Sequence, residues 1–301
     1  MSIKAQPFLA RPVEESFDYI NLIIYGEYGL GKTHFCGSSA LVPEMRDILY
    51  LALEAGEKGL KDIIRQLKSE GLNPNNHILV VPIESFGQYG NVYKFLQHHL
   101  KYRDAEIEDE ESTNNLRKLE AQIRGIIYKD VDELKLKIPV PMRFRTVITD
   151  SLTEAQKYKM YDLLGIDPSQ HSLNADFDKP AYDEWYSSKE AIQFLVRRYR
   201  DLPINSLFVA SQATEVDAKK QIHYHMQMPG KLDDIQGMVD LVIWMTASIT
   251  EQKAIRRFYF VGGKVDGLGY IQAKNRFGPA LKSLYLDNID MRNIYELDRQ
   301  S

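Results

Sequence analysis

The sequence predicts an α/β fold with a mainly parallel central sheet flanked by helices, antiparallel hairpins at one edge and a helical insertion. Three observations carry this. Short apolar runs rich in β-branched and aromatic residues recur along the chain, as buried strands require. Helical patterns over 59–69 and 88–102 separate the early runs, and strand alternating with helix implies right-handed crossovers and parallel pairing. A glycine-rich turn joins the first run to a stretch that can be helical.

The first strand is expected at 20–25 and runs straight into Gly26-Glu27-Tyr28-Gly29-Leu30-Gly31-Lys32-Thr33, with His34 next and a helix over 33–41. This is a complete G-x-x-x-x-G-K-T phosphate-binding loop in the strand–turn–helix context that the motif needs. Its glycines let backbone N–H groups converge on phosphate oxygens. Lys32 would reach the terminal phosphates of a bound ATP, and the Thr33 hydroxyl would bind Mg²⁺. An ordinary glycine-rich turn accounts for neither the lysine nor the threonine.

The second strand, 47–53, ends in Glu54. Open α/β sheets bind ligands at the carboxyl ends of their strands, so Glu54 is the candidate base for the attacking water. A third strand is expected at 77–82. Residues 103–138 break the alternation with an acidic cluster and then Leu116, Leu119, Ile123, Ile126 and Ile127 at helical spacing. They read as a solvated loop leading into an amphipathic helix or helical hairpin. The fourth strand, 145–150, ends in Asp150, the second candidate Mg²⁺ ligand in Walker-B form; an Asp or Ser151 capping the next helix is the bland alternative. Residues 162–180 are polar and aperiodic and read as a long surface loop. A helix over 184–200 follows, with Arg197, Arg198 and Arg200 placed to complement its dipole.

The strand at 206–211 is followed by Gln212, an amide placed to sense the terminal phosphate. Strands at 241–245, 257–261 and 270–273 have shorter links and read as edge hairpins. After the last comes Lys274-Asn275-Arg276-Phe277-Gly278. Lys274 and Arg276 project to one face of an extended segment, either as a solvated basic turn or as fingers that neutralise phosphate charge.

The chain has 301 residues, 44% of them hydrophobic and 27% charged, and a formal net charge of −4. These are values of an ordinary globular protein, and they argue against a broadly basic nucleic-acid coat. No apolar run has membrane-spanning length and no signal-peptide pattern opens the chain, so no membrane partner and a cytoplasmic location are expected. The single cysteine, Cys36, excludes an intrachain disulfide and a four-cysteine zinc site. Residues 1–18 read as an N-terminal arm, 19–290 as the ATPase domain and 291–301 as a C-terminal tail.

Taken in chain order, the phosphate loop, Glu54, Asp150, Gln212 and the Lys-Asn-Arg-Phe-Gly string resemble the RecA-like recombination ATPases over about residues 18–285, leaving out the insertion. Within them the chain looks most like the compact phage ATPases of the single-strand-annealing type, and the Lys-Asn-Arg-Phe-Gly string matches a motif of the RadA branch. The resemblance implies a RecA-like P-loop core, a Mg-dependent and DNA-stimulated ATPase, and single-stranded DNA in homologous recombination or strand annealing. It implies catalytic roles for Glu54, Lys32, Gln212, Lys274 and Arg276. It also implies a homo-oligomer, ring or filament, in which Lys274 and Arg276 act on the neighbouring subunit. A single-strand DNA-binding protein is a further candidate partner, and the host cytoplasm is the location if the protein is phage-encoded.

DNA-contacting loops are implied at about 152–180 and 213–230. The first holds Lys157, Tyr158, Lys159, Tyr161, His171 and Lys179; the second holds Lys219, Lys220, His223 and Tyr224. Cations track phosphates and rings stack on bases. A plain hairpin with an amphipathic strand over 222–228 is equally compatible with the second. Three other functions stay open: a ring-forming RadA- or DnaB-like DNA motor, a P-loop small-molecule kinase, and a partitioning ATPase with a deviant Walker loop. The last expects a lysine after the first glycine, where this chain has Glu27.

Overall fold

A computed structural model of the chain describes residues 19–54, 56–106, 108–166, 180–227, 233–249, 254–278, 281 and 284–299. The 1–18 arm, His171 and Lys179 of the first DNA loop, and residues 228–230 of the second lie outside the described residues. The first half alternates as expected: β1 (Asn21–Gly26), α1 (Lys32–Gly37), β2 (Ile48–Ala52), α2 (Lys61–Ser69), β3 (Ile78–Pro82) and α3 (Gly87–His99). The insertion is a helical hairpin, α4 (Glu110–Arg124) and α5 (Val131–Lys137). Asp109 and Asp130 cap the two helices, and Ala121, Leu134 and Ile138 form a small core between them. Then come β4 (Thr146–Asp150), α6 (Leu152–Leu164), α7 (Tyr182–Arg200), β5 (Asn205–Val216), β6 (Ile222–Met226) and α8 (Asp233–Met238). The last elements are β7 (Leu241–Ile249), β8 (Ala254–Tyr259), β9 (Gly263–Val265), β10 (Gly269–Ile271), β11 (Lys274–Asn275), β12 (Tyr285–Asp287) and α9 (Met291–Arg299).

The main sheet runs β12-β8-β7-β1-β5-β4-β2-β3. Pairing is parallel from β7 through β3 and antiparallel at the β7–β8–β12 edge. One strand, β5, separates the phosphate-loop strand β1 from the Walker-B strand β4. This is the RecA-like P-loop fold. Residues alternate across it: Leu22 and Ile24 pack under α1, α2 and α9, while Ile23 and Tyr25 pack under α3, α6 and α7. Both faces are covered, which is why an inner strand such as β2 reads as an unbroken apolar run. The register aligns the carboxyl ends. Gly26 pairs with Ser211 and Met245, and Ala52 pairs with Asp150.

Three segments differ from the sequence reading. Residues 152–164 are helical, so most of the described part of the first expected DNA loop, and the start of the expected 162–180 surface loop, belong to α6. Ser151 caps the helix through Glu154 N–H, and Gly165 ends it in the left-handed region. Strand β5 continues past Ser211 and turns back into β6. Its turn is closed by the Asp217 carboxylate, which accepts from the N–H groups of Lys219 and Gln221, both at 2.8 Å. Side chains beyond Ser211 are largely exposed, so no apolar run marked this extension. Residues 291–299 form a helix: Met291 and Ile294 are buried, and the Met291 N–H donates to Ser38 Oγ at 2.9 Å.

Candidate nucleotide site

The phosphate loop starts where β1 ends. A Cβ on Gly26 would sit 2.3 Å from the Met245 carbonyl oxygen of β7, so only glycine lets the two strands pair there. Gly31 enters α1 at φ 98°, a left-handed conformation that glycine adopts without strain. Lys32 is only 8% exposed, and its Nζ donates to the carbonyls of Gly26 at 2.8 Å and Glu27 at 2.7 Å. Burial lowers its pKa, and the charges of Asp150 and Glu54 pull it back up. The ammonium is thus held where an anion would relieve its desolvation.

Two carboxylates face it from neighbouring strand ends. Asp150 is buried and accepts from Thr33 Oγ1 at 2.5 Å and from Tyr50 OH at 2.6 Å. Burial, then the Asp150 charge, pushes the Tyr50 phenol far up, so it stays a donor. Gly56 lets the chain pass close by, since a Cβ there would lie 2.9 Å from Asp150 Oδ2. Glu54 accepts from Ser151 Oγ at 2.8 Å; the Asp150–Ser151 peptide is cis. A cleft of about 230 Å³ is lined by Tyr28, Gly29, Gly31, Lys32, Thr33 and His34 of the loop, by Glu54, Asp150 and Ser151, and by Ser211. Glu27 and Leu30 complete the loop outside this lining.

The donor set suits Mg²⁺. Thr33 and Asp150 offer hard oxygens, and among the described residues no group of three or more His, Cys, Asp or Glu could hold a metal ion. Mg²⁺ is commonly held by one or two carboxylates together with substrate phosphates and water.

Several expected site residues lie elsewhere. Ser211 faces the cleft and Gln212 the opposite side of the sheet, because side chains alternate along β5. There the Gln212 Oε1 accepts from Trp244 Nε1 at 2.7 Å. Lys274 Nζ donates to the carbonyls of Gln236 at 2.8 Å and Val239 at 2.6 Å, and Arg276 Nη2 to that of Gly237 at 2.9 Å. Both cations therefore satisfy the carbonyl end of α8 and stand outside their own phosphate cleft. Lys219 and Lys220 are exposed at the β5–β6 turn. His223 stacks on Tyr270 with ring centroids 4.8 Å apart and contacts Asp217 at 3.1 Å, and Tyr224 stacks on Trp244 at 4.9 Å. Tyr224 is thus committed to the core and is not a free platform for a base.

Sequence reading missed Tyr50, Ser211 and Arg256. Tyr50 is one hydroxyl in an otherwise aliphatic strand, and its pairing partner Ile148 places it two residues from Asp150. The Arg256 guanidinium lies within 3.7 Å of where a Gly31 Cβ would stand, and with burial it lowers the His34 pKa. No local signal marks it.

Sheet order and cleft together define a P-loop ATPase with a RecA-like core. The chain belongs to the AAA domain family, whose model matches residues 18–277. No curated protein matches it. Among solved structures it is similar to the flagellar accessory protein FlaH of Methanocaldococcus jannaschii, with a TM-score of 0.39 and 11% identity, covering 89% of this chain and 84% of that one. A KaiC-like protein of Pyrococcus horikoshii OT3 gives a TM-score of 0.32 and 10% identity over 80% of this chain and 77% of that one. No helix among the described residues is long and apolar enough to cross a membrane.

Proposed function

We propose that this protein is a Mg²⁺-dependent ATPase that acts on single-stranded DNA in recombination or strand annealing. One observation carries the ATPase reading: Lys32, Thr33, Glu54 and Asp150, from three separate strand ends, meet in one cleft. Bound ATP and Mg²⁺ supply the phosphoanhydride and the cation that offsets its charge. Lys32 exchanges its two backbone carbonyls for phosphate oxygens. Thr33 and Asp150 would hold the cation, with Tyr50 fixing the Asp150 carboxylate. Glu54 takes the proton of the attacking water, and Ser151 orients it.

The DNA reading is supported by position. Lys219 and Lys220 stand exposed at the far end of β5, the same strand that brings Ser211 to the cleft. A phosphate contact at the turn is therefore joined to the nucleotide cleft by one continuous strand. The proposal extends to a homo-oligomer, ring or filament, in which Lys274 and Arg276 reach a neighbour's cleft. ATPase turnover with and without single-stranded DNA, in Mg²⁺ and in EDTA, tests it. Stimulation by DNA and loss in EDTA are expected. Changing Lys219 and Lys220 to Ala should reduce the log–log salt slope of DNA binding by about 0.7 per lost contact. An unchanged slope in the double variant removes this turn from the DNA path, while DNA-independent turnover with no binding of single-stranded DNA refutes the DNA reading and leaves the ATPase.

A further inference from the structure

Beside the nucleotide cleft lies a second, mainly apolar cavity of about 360 Å³, between α6, the first turns of α7 and the β5–β6 hairpin. Gln156 lines it and is only 3% exposed, yet its amide Nε2 has no hydrogen-bond partner. Buried amides are almost always paired, and an orphan is an exception that calls for a reason. Met160 and Tyr161 form a wall, and the Trp185 indole, 38% exposed, stands at the mouth. Lys157 and Gln227 complete the rim; the Lys157 ammonium is half-exposed and paired with Glu154 one turn away.

We propose that this cavity takes one unstacked nucleobase of a single-stranded nucleic acid. The inference rests on the DNA reading above and assigns that DNA a site which the exposed hairpin lysines do not provide. An aromatic ring at the mouth, an amide with an orphan donor in the wall and a cation on the rim match a base face, an acceptor on the base edge and the adjoining phosphate. An aromatic or aliphatic side chain from a protein partner would fill the walls but leave the Gln156 amide unpaired.

The two cavities share a wall. Thr153 lines the base cavity and its Oγ1 accepts from the Ser211 N–H at 3.0 Å, while Ser211 lines the nucleotide cleft. Ser151, which donates to Glu54, caps the same helix α6 that carries Thr153 and Gln156. A base seated on Gln156 therefore bears on the helix that positions the candidate base catalyst. The consequence is that the base, and not the phosphate backbone alone, stimulates turnover.

The test compares (dT)20 with an abasic oligonucleotide of equal length. The chain has two tryptophans, and Trp244 is 2% exposed, so quenching reports Trp185; a Trp185→Phe protein is the control. Both oligonucleotides should bind through phosphate contacts, but only (dT)20 should quench Trp185 and raise turnover. Trp185→Ala should weaken (dT)20 binding roughly 5- to 100-fold. Gln156→Leu should abolish the difference between the two oligonucleotides while Tm stays the same or rises by about 2–4 °C, since it removes a buried orphan amide. A purely structural Gln156 gives the opposite sign, a lowered Tm, and that result overturns the proposal. Equal quenching and stimulation by both oligonucleotides also overturns it and leaves the DNA reading intact. Binding of neither oligonucleotide defeats the DNA reading and the cavity assignment together.

Discussion

Replacing Glu54 with Gln separates nucleotide binding from proton transfer. The side chain keeps its shape, and its amide oxygen can still accept from Ser151 Oγ, which lies 2.8 Å from Oε1 in the parent. Glu54 is only half-buried, so the loss of charge changes desolvation little, and stability should move by less than about 1 kcal/mol. Lys32 loses one of the three carboxylates that raise its pKa but keeps Asp150, the largest of them, and Glu27, so it stays able to meet phosphate. Nucleotide affinity should therefore hold. The proton acceptor is gone, and general-base removal typically costs 10²–10⁴-fold in rate, about 3–5 kcal/mol of barrier. The assay is steady-state phosphate release beside equilibrium nucleotide binding and Tm on the same preparation. Parental turnover would move the base to another residue. Loss of binding together with turnover would make Glu54 a structural acceptor for Ser151, and either result refutes the role given to it.

Three further outcomes follow from the geometry. Gly26→Ala places a methyl 2.3 Å from the Met245 carbonyl; the backbone must yield by about 1 Å, and turnover should fall at least 10²-fold, checked by nucleotide titration and kinetics. His99 is buried against Phe144, and burial, partly offset by its bond to the Met142 carbonyl and reinforced by Arg103 and Arg143, pushes its pKa down from 6.5 to about 4. Between those values the unfolded chain binds a proton that the folded chain refuses, so stability falls as pH drops from 6.5 towards 4. His99→Phe should remove about 2 kcal/mol of the loss between pH 7 and pH 5 in paired denaturant titrations. For assembly, the Lys274→Ala, Arg276→Ala double variant should lose stability at the α8 carbonyls and strongly lose turnover. Mixing it with Lys32→Ala should restore activity at interfaces that join an intact loop to intact cations; no rescue in exchanged mixtures leaves the two cations as a helix cap.

The sequence by itself determined whatever depends on local pattern. Runs such as 22–25 and 48–53 are strands because a sheet covered on both faces needs uninterrupted apolar residues. The glycines and Lys32 announce a phosphate loop because few other loops need that spacing. Glu54 and Asp150 were placed at the cleft because both end a strand, and parallel strands end on one side.

Only the tertiary structure decided what rests on contacts distant in sequence. Ser211 and not Gln212 lines the cleft, because the register of β5 against β1 chooses which of two adjacent side chains faces the loop. Lys274 and Arg276 meet carbonyls 35–39 residues away, so their charge is spent on a helix end that no local spacing reveals. Tyr50 reaches Asp150 across 100 residues, and the orphan amide of Gln156 is visible only once α6, α7 and β5 close around it. Pattern sets the elements; packing sets which polar groups each of them is left to satisfy.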